Sequence, residues 1–225
     1  AATTVNTGGD ADTVNVGSLA PDSGGNVNGI GAVLTINGEG DALNLDDTSD
    51  TLANTGNLTA TEITGLGMAG KIVYGTLESL KIGLGSGDDT FTVASTHAAT
   101  TELNTNDGSD TVTLETIAGI TTVNTGAGTD TVNVRTIAAA TTVNTGADAD
   151  TVNVGSLAPA TGGDVNGIGA VLTINGNGGS DTLNVDDTGD SLANTGNLTA
   201  TELTGLGMTG KIVYGTLESL KIGLG

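Results

Sequence analysis

The sequence has no cysteine and no tryptophan, and its 225 residues include only three aromatic rings, those of Tyr74, Phe91 and Tyr214. Without cysteine, neither disulfides nor thiolate metal sites can form. So few aromatic rings cannot fill the core of an ordinary globular domain, which depends on large aromatic and branched side chains. The apolar residues are mainly Val, Leu, Ile and Ala, and they suit a narrow core that repeats along the chain.

Basic residues are also scarce, since 5 Lys and Arg stand against 26 Asp and Glu, for a net charge of −21. A chain this acidic repels nucleic acid and anionic membrane surfaces and attracts cations. It contains no apolar run of about 18 residues, so we expect no membrane insertion. The first residues resemble the repeats that follow rather than a signal peptide, and we interpret the sequence as a window from a longer chain.

The side chains that most enzymes need are largely missing. There is a single histidine, His97, and no serine nucleophile motif. Adjacent carboxylates occur at 46–47, 88–89 and 186–187, but a sugar cleft built on them would lack stacking aromatic residues. We therefore predict that this chain is not an enzyme.

Repetition appears first on a long scale. Residues 1–85 recur as residues 139–225, with 86–138 as connecting units, and we predict one continuous segment over 1–225. The copies differ by two residues in length, where GEGDALNL becomes GNGGSDTLNV. An insertion tolerated there places that turn on the surface.

A shorter repeat decides the predicted fold. Asp89, Asp110, Asp130 and Asp150 follow one another at steps of 21, 20 and 20 residues. Each begins a segment of strict polar and apolar alternation (DTFTV, DTVTL, DTVNV and DTVNV), which is typical of a half-buried strand. The same marker aspartate recurs at Asp12, Asp41 and Asp181 with longer spacings.

A second strand precedes each marker, with Ile82, Leu103, Val123 and Val143 seven residues before it. Gly-rich turns such as GSGDD and NDGSD separate the two strands. This pattern predicts an all-β fold, a parallel β-solenoid of stacked coils of about 20 residues with Gly/Asp turns. The gap from 41 to 89 is expected to hold further coils built on LTATEITGL and KIVYGTLESLKI. The alternative, a disordered Gly/Thr-rich chain, does not explain why the apolar residues stay in register.

The residues of these turns allow two interpretations, one without metal and one with calcium. Glycine permits the positive φ of a reversal, and an Asp side chain can bond the turn backbone, so an acidic solvated turn explains both residue types. The segments GLGSGDDTFTV (83–93) and TGAGTDTVNV (125–134) also resemble the nonapeptide of the RTX calcium-binding β-roll. That resemblance implies Ca²⁺, held by turn carbonyls and by the markers Asp12, Asp89, Asp110, Asp130, Asp150 and Asp181, with Asp10, Asp88, Asp107 and Asp148 in the same turns.

The pattern as a whole, including the segment 58–93 and its partial copy 198–225, resembles giant bacterial surface or secreted proteins made of β-strand repeats. The resemblance implies an extracellular or cell-surface fibre, stalk or passenger. An adhesive, glycan-binding or ice-binding solenoid is the alternative, since Thr90, Thr111, Thr131 and Thr151 would form an outward file. Open sheet ends can pair with further strands, so we expect continuation into more repeats or self-association end to end.

Overall fold

The computed structural model describes residues 1–225, which form strands and turns. It contains no helix long and apolar enough to cross a membrane. The nineteen strands are β1 Thr3–Gly8, β2 Thr13–Val16, β3 Val33–Asp46, β4 Thr55–Leu58, β5 Glu62–Gly65, β6 Lys71–Gly83, β7 Thr90–Val93, β8 Thr100–Asn104, β9 Thr111–Leu114, β10 Thr121–Asn124, β11 Thr131–Val134, β12 Thr141–Asn144, β13 Thr151–Val154, β14 Val171–Asn175, β15 Thr182–Asp187, β16 Gly196–Leu198, β17 Glu202–Gly205, β18 Lys211–Gly215 and β19 Ser219–Leu224.

The short strands pair in parallel with the strand one coil away, in the register that the sequence spacing predicts. In one file Thr111 pairs with Thr131 and then with Thr151. In the other file Leu103 pairs with Val123 and then with Val143. The prediction of a parallel β-solenoid with coils of about 20 residues is therefore confirmed.

The alternating residues face the sides that the pattern predicts, because successive side chains of a strand point to opposite faces. The apolar positions after the markers Asp89, Asp110, Asp130 and Asp150 are almost completely buried and form a narrow aliphatic stack. They are Phe91, Val93, Val112, Leu114, Val132, Val134, Val152 and Val154.

Two ladders of paired strands run through the molecule, and we call them ladder one and ladder two. Each coil contributes one strand to each ladder. The strands β3 and β6 are long enough to take part in both, with the first half of each in ladder one and the second half in ladder two. Ladder one joins β1, β3, β6, β5, β4, β7, β9, β11, β13, β15 and β19. Ladder two joins β2, β3, β6, β8, β10, β12, β14, β18, β17 and β16.

The gap from 41 to 89 differs in part from the expectation. KIVYGTLESLKI does form a coil strand, β6, which spans both ladders. LTATEITGL instead forms an antiparallel hairpin of β4 and β5, whose strands add to ladder one alone. The reason is a tight turn, in which the Thr59 backbone N–H donates to the Glu62 carbonyl at 2.9 Å and reverses the chain.

The two long copies exchange ladders. β1 lies in ladder one, whereas β12, which carries the same sequence in the second copy, lies in ladder two. Likewise the hairpin of β4 and β5 extends ladder one, and its counterpart β16 and β17 extends ladder two. Between equivalent strands the chain crosses from ladder to ladder an odd number of times, so each copy starts on the ladder opposite to the previous one.

Candidate metal-binding turns

The Gly-rich turns stack on one another so closely that some positions admit only glycine. Gly108 and Gly128 occupy the same turn position in successive coils, with φ of +126° and +128°. A Cβ on Gly128 would overlap the carbonyl oxygen of Gly108. Both the left-handed backbone and the close approach therefore require glycine.

The marker aspartates that follow these turns point into the protein and not into solvent. Asp89, Asp110, Asp130, Asp150 and Asp181 are each at most 3% exposed. Asp12, in the outermost coil at the other end, is only partly buried. The reading of the turns as an acidic, solvated ladder is therefore wrong for the markers of the central coils.

Each buried marker bonds to the neighbouring coil through its backbone and its side chain. The backbone N–H of one marker donates to the carboxylate Oδ1 of the next, so the markers form a continuous hydrogen-bonded column. A carboxylate that accepts a backbone N–H makes a stronger hydrogen bond than a neutral acceptor. The bonds are Asp89 to Asp110 at 2.7 Å, Asp110 to Asp130 at 2.8 Å, Asp130 to Asp150 at 2.8 Å and Asp150 to Asp181 at 3.0 Å.

The markers fall into two columns because the copies exchange ladders. The Asp12 backbone N–H donates to the Asp41 carboxylate Oδ1 at 3.1 Å, and both residues precede strands of ladder two. The other markers precede strands of ladder one. The longer column ends on Glu218, whose Oε2 accepts the Asp181 N–H at 2.6 Å.

The second carboxylate oxygen is buried and has no hydrogen-bond partner at Asp110, Asp130, Asp150 and Asp181. Burial disfavours the charged form and raises the pKa of all four carboxyls, to about 6 for Asp110 and Asp150. Neighbouring marker charges raise the pKa of these two further, against the opposing effect of the hydrogen bonds. An inward column of carboxyls thus has one free oxygen per coil that can hold a proton or meet a cation.

The other four candidate aspartates lie outside both marker columns. Asp10, Asp88, Asp107 and Asp148 are exposed and lie one to three residues before the markers of their turns. Asp107, for example, pairs across coils with Ala127 and not with another acid. The structure therefore does not bring them into one file with the markers.

Ca²⁺ prefers six to eight oxygen ligands. The acidic and histidine side chains form no group of three or more that could share one ion. Calcium at these turns would therefore take a marker oxygen together with turn carbonyls, and its binding stays a prediction.

Threonine and asparagine side chains form further hydrogen-bonded columns that support the turns. In the sequence these residues are visible only as Thr and Asn recurring at the coil period. Buried Thr105 and Thr125 donate their hydroxyls to the carbonyls of Thr125 and Thr145, one coil on, at 2.9 and 2.6 Å. The asparagine side chains of neighbouring coils bond to each other, amide to amide, from Asn104 through Asn124 and Asn144 to Asn175, and from Asn133 through Asn153 to Asn184.

The adjacent carboxylates at 46–47 hold a surface arm, residues 17–32, against the solenoid. Asp46 accepts the Gly25 N–H at 2.6 Å, and Asp47 accepts the Val27 N–H at 2.9 Å. The pair at 186–187 holds the equivalent arm of the second copy in the same way. Both carboxylates of each pair therefore have a structural role.

No protein-family model matches this chain, and no curated protein matches it.

Proposed function

We propose that this chain is a structural repeat segment of an extracellular or cell-surface fibre or stalk, which carries no catalytic site. The single observation that supports this most is the continuity of the side-chain columns along the stack. Asp, Thr and Asn columns each link coil to coil, in addition to the backbone ladders. Such bonding makes every coil the template for the next, and the stability of a solenoid then grows with repeat number.

The acidic surface fits the same role. A net charge of −21 keeps long rods apart in solution through mutual repulsion. It also disfavours contact with nucleic acid, and it leaves cations as the charged species that the rod attracts. We propose Ca²⁺ as a stabilising ligand of the turns, held by the free oxygen of a marker such as Asp130 and by turn carbonyls.

An adhesive, glycan-binding or ice-binding surface is the alternative, and one feature favours it. Thr90, Thr111, Thr131 and Thr151 stack in register on the outward side of one ladder. The neighbouring amides of Asn133 and Asn153 already bond to each other at 3.0 Å, which leaves them fewer donors for a ligand. The structural role therefore has the stronger support.

Chains of one, two and three long repeats test the proposal by small-angle scattering. A structural rod grows in length by about 4.8 Å per added coil at constant cross-section. A compact particle whose cross-section grows with repeat number would contradict the fibre role. An ice or glycan ligand that binds the single repeat tightly would favour the alternative.

A further inference from the structure

The two copies of the β4–β5 hairpin region have nearly the same sequence but differ in burial. Leu58 is completely buried, whereas its counterpart Leu198 is 53% exposed. Leu84 is completely buried, and its counterpart Leu224 is 62% exposed. Sequence cannot cause this difference, so it reflects what covers each copy.

In the first copy the cover is the single coil of residues 86–104. Its strand β7 pairs with β4, from Thr55 opposite Thr90 to Leu58 opposite Val93. Its strand β8 pairs with the second half of β6, from Ser79 opposite Thr100 to Gly83 opposite Asn104. In the second copy the corresponding edges, on β16 and β19, have no further strand beside them.

The covered site is shaped for one particular side chain. Phe91 lies directly over Gly56 and beside Leu66, so close that a Cβ on Gly56 would be 2.5 Å from the ring. In the second copy Gly196 is exposed, and a Cβ built on it would meet only Leu206. A glycine at this position leaves room for an aromatic ring to cover it.

The site also has a backbone component. The Asn54 N–H donates to the Asp89 carboxylate at 2.7 Å, and the Thr90 N–H donates to the Asn54 carbonyl at 2.8 Å. The counterpart, Asn194, is exposed, and its backbone bonds to no such strand. The pattern D-T-F-T-V therefore matches the open site in its carboxylate, its ring and its strand hydrogen bonds.

We propose that the open end formed by β16 and β19 is a docking surface for one coil of the sequence type of residues 86–104, supplied on the same polypeptide. This inference rests on the proposed role as a repeat segment and specifies which repeat unit the surface receives. The cis source follows from the first copy, where Leu84 and Gly85 lead directly into the coil that covers them. A tethered coil binds at high effective concentration and avoids the cost of association.

A second copy of the chain, docked end to end, fits this surface less well. Its strand β2 follows the marker Asp12 and could take the place of β7 on β16, but it brings Val14 to the position where the Phe91 ring covers Gly56. Its first strand, β1 (TTVNTG), could replace β8 on β19, because TTVN aligns with TELN as the TTVN of β10 does, but β2 would then lie one layer beyond β16 and leave the position of β7 empty. A coil that begins with the β7-type strand DTFTV fills both positions.

Hydrogen exchange on an extended chain tests the proposal. Residues 86–138 are appended after Gly225, and the amides of Gly196–Leu198 and Ser219–Leu224 are followed by mass spectrometry. We expect their exchange to slow about tenfold or more, approaching the rate of Thr55–Leu58 in the same molecule. The matched control is the same extension with Phe91→Asp and Leu103→Asp in the appended copy, which should give no added protection.

Unchanged exchange at Gly196–Leu198 in the extended chain would overturn the proposal, as would equal protection by the control extension. Adding the same segment as a separate peptide should have little effect at micromolar concentration, and full protection by it would overturn the cis assignment. A compact particle whose cross-section grows with repeat number, with the protection intact, would refute the fibre role alone, so the two failures are distinguishable.

Discussion

The buried aspartates, two of the marker column and Asp47 beneath the surface arm, predict that this protein is more stable in mild acid than at neutral pH. The carboxyls of Asp47, Asp110 and Asp150 have pKa values raised by burial from 3.8 to about 6. A raised pKa means that the folded state binds the proton more tightly than the unfolded state. The resulting stabilisation is fully present below pH 3.8 and is lost as the pH rises through about 6.

Linkage sets the magnitude of this effect. For one carboxyl with a pKa of about 6 folded and 3.8 unfolded, a change from pH 8 to pH 5 stabilises the fold by roughly 1 kcal/mol. Three such groups contribute about 3 to 4 kcal/mol if they titrate independently. For a chain of this size that corresponds to a rise in melting temperature of about 10 °C. The carboxyls with lowered pKa, such as Asp50 and Asp186, oppose the trend only at still lower pH.

Thermal melts by circular dichroism at pH 5 and pH 8, in the same moderate salt, measure the shift. The net charge also falls in acid, so a matched variant is needed to isolate the column. Asp110→Asn keeps the carbonyl acceptor for the Asp89 N–H and cannot ionise. It should reduce the shift between pH 5 and pH 8, while Asp10→Asn, at an exposed site, should leave it intact. Equal melting temperatures at the two pH values, or a higher one at pH 8, would refute the reasoning.

Two other predictions concern packing and metal. Gly56→Ala places a Cβ 2.5 Å from the Phe91 ring and should destabilise the fold by about 1–3 kcal/mol in a urea melt. Gly196→Ala meets only the end of the Leu206 side chain, at 2.8 Å, and should cost less; equal costs would contradict the packing argument. Calcium at millimolar concentration should raise the melting temperature at pH 8 and chelator should remove the gain, because a cation at the free oxygen of a marker offsets its buried negative charge. Identical melts would mean that the turns are held without metal.

The strands themselves were predictable because their determinants are local. In DTVTL the alternation buries Val112 and Leu114, and the register follows from the repeat spacing. The Gly-rich turns were equally predictable, since a chain reversal favours glycine and Gly108 and Gly128 do have a positive φ. The one misread segment, LTATEITGL, has strand-like residues too, but nothing in its alternation reveals whether its partner runs parallel or antiparallel.

The candidate site shows where this kind of prediction ends. Composition and spacing place Asp110 and Asp130 one coil apart and next to a turn, which is as compatible with a solvated acid as with a buried one. Their side chains point inward and accept hydrogen bonds from the backbone of the neighbouring coil, and both features depend on how the coils stack on one another. Four of the ten candidates, among them Asp107 and Asp148, share the turns but not the column.

The all-β class, the narrow aliphatic core, the coil length and the glycines of the turns follow from the amino-acid sequence, because each depends on residues close together in the chain or on a fixed period. The exchange of ladders between copies, the burial of the markers and the exposure of β16 become visible only in the folded chain. These depend on which strands meet across coils, and two nearly identical sequences differ there because burial is a property of the neighbour as much as of the residue.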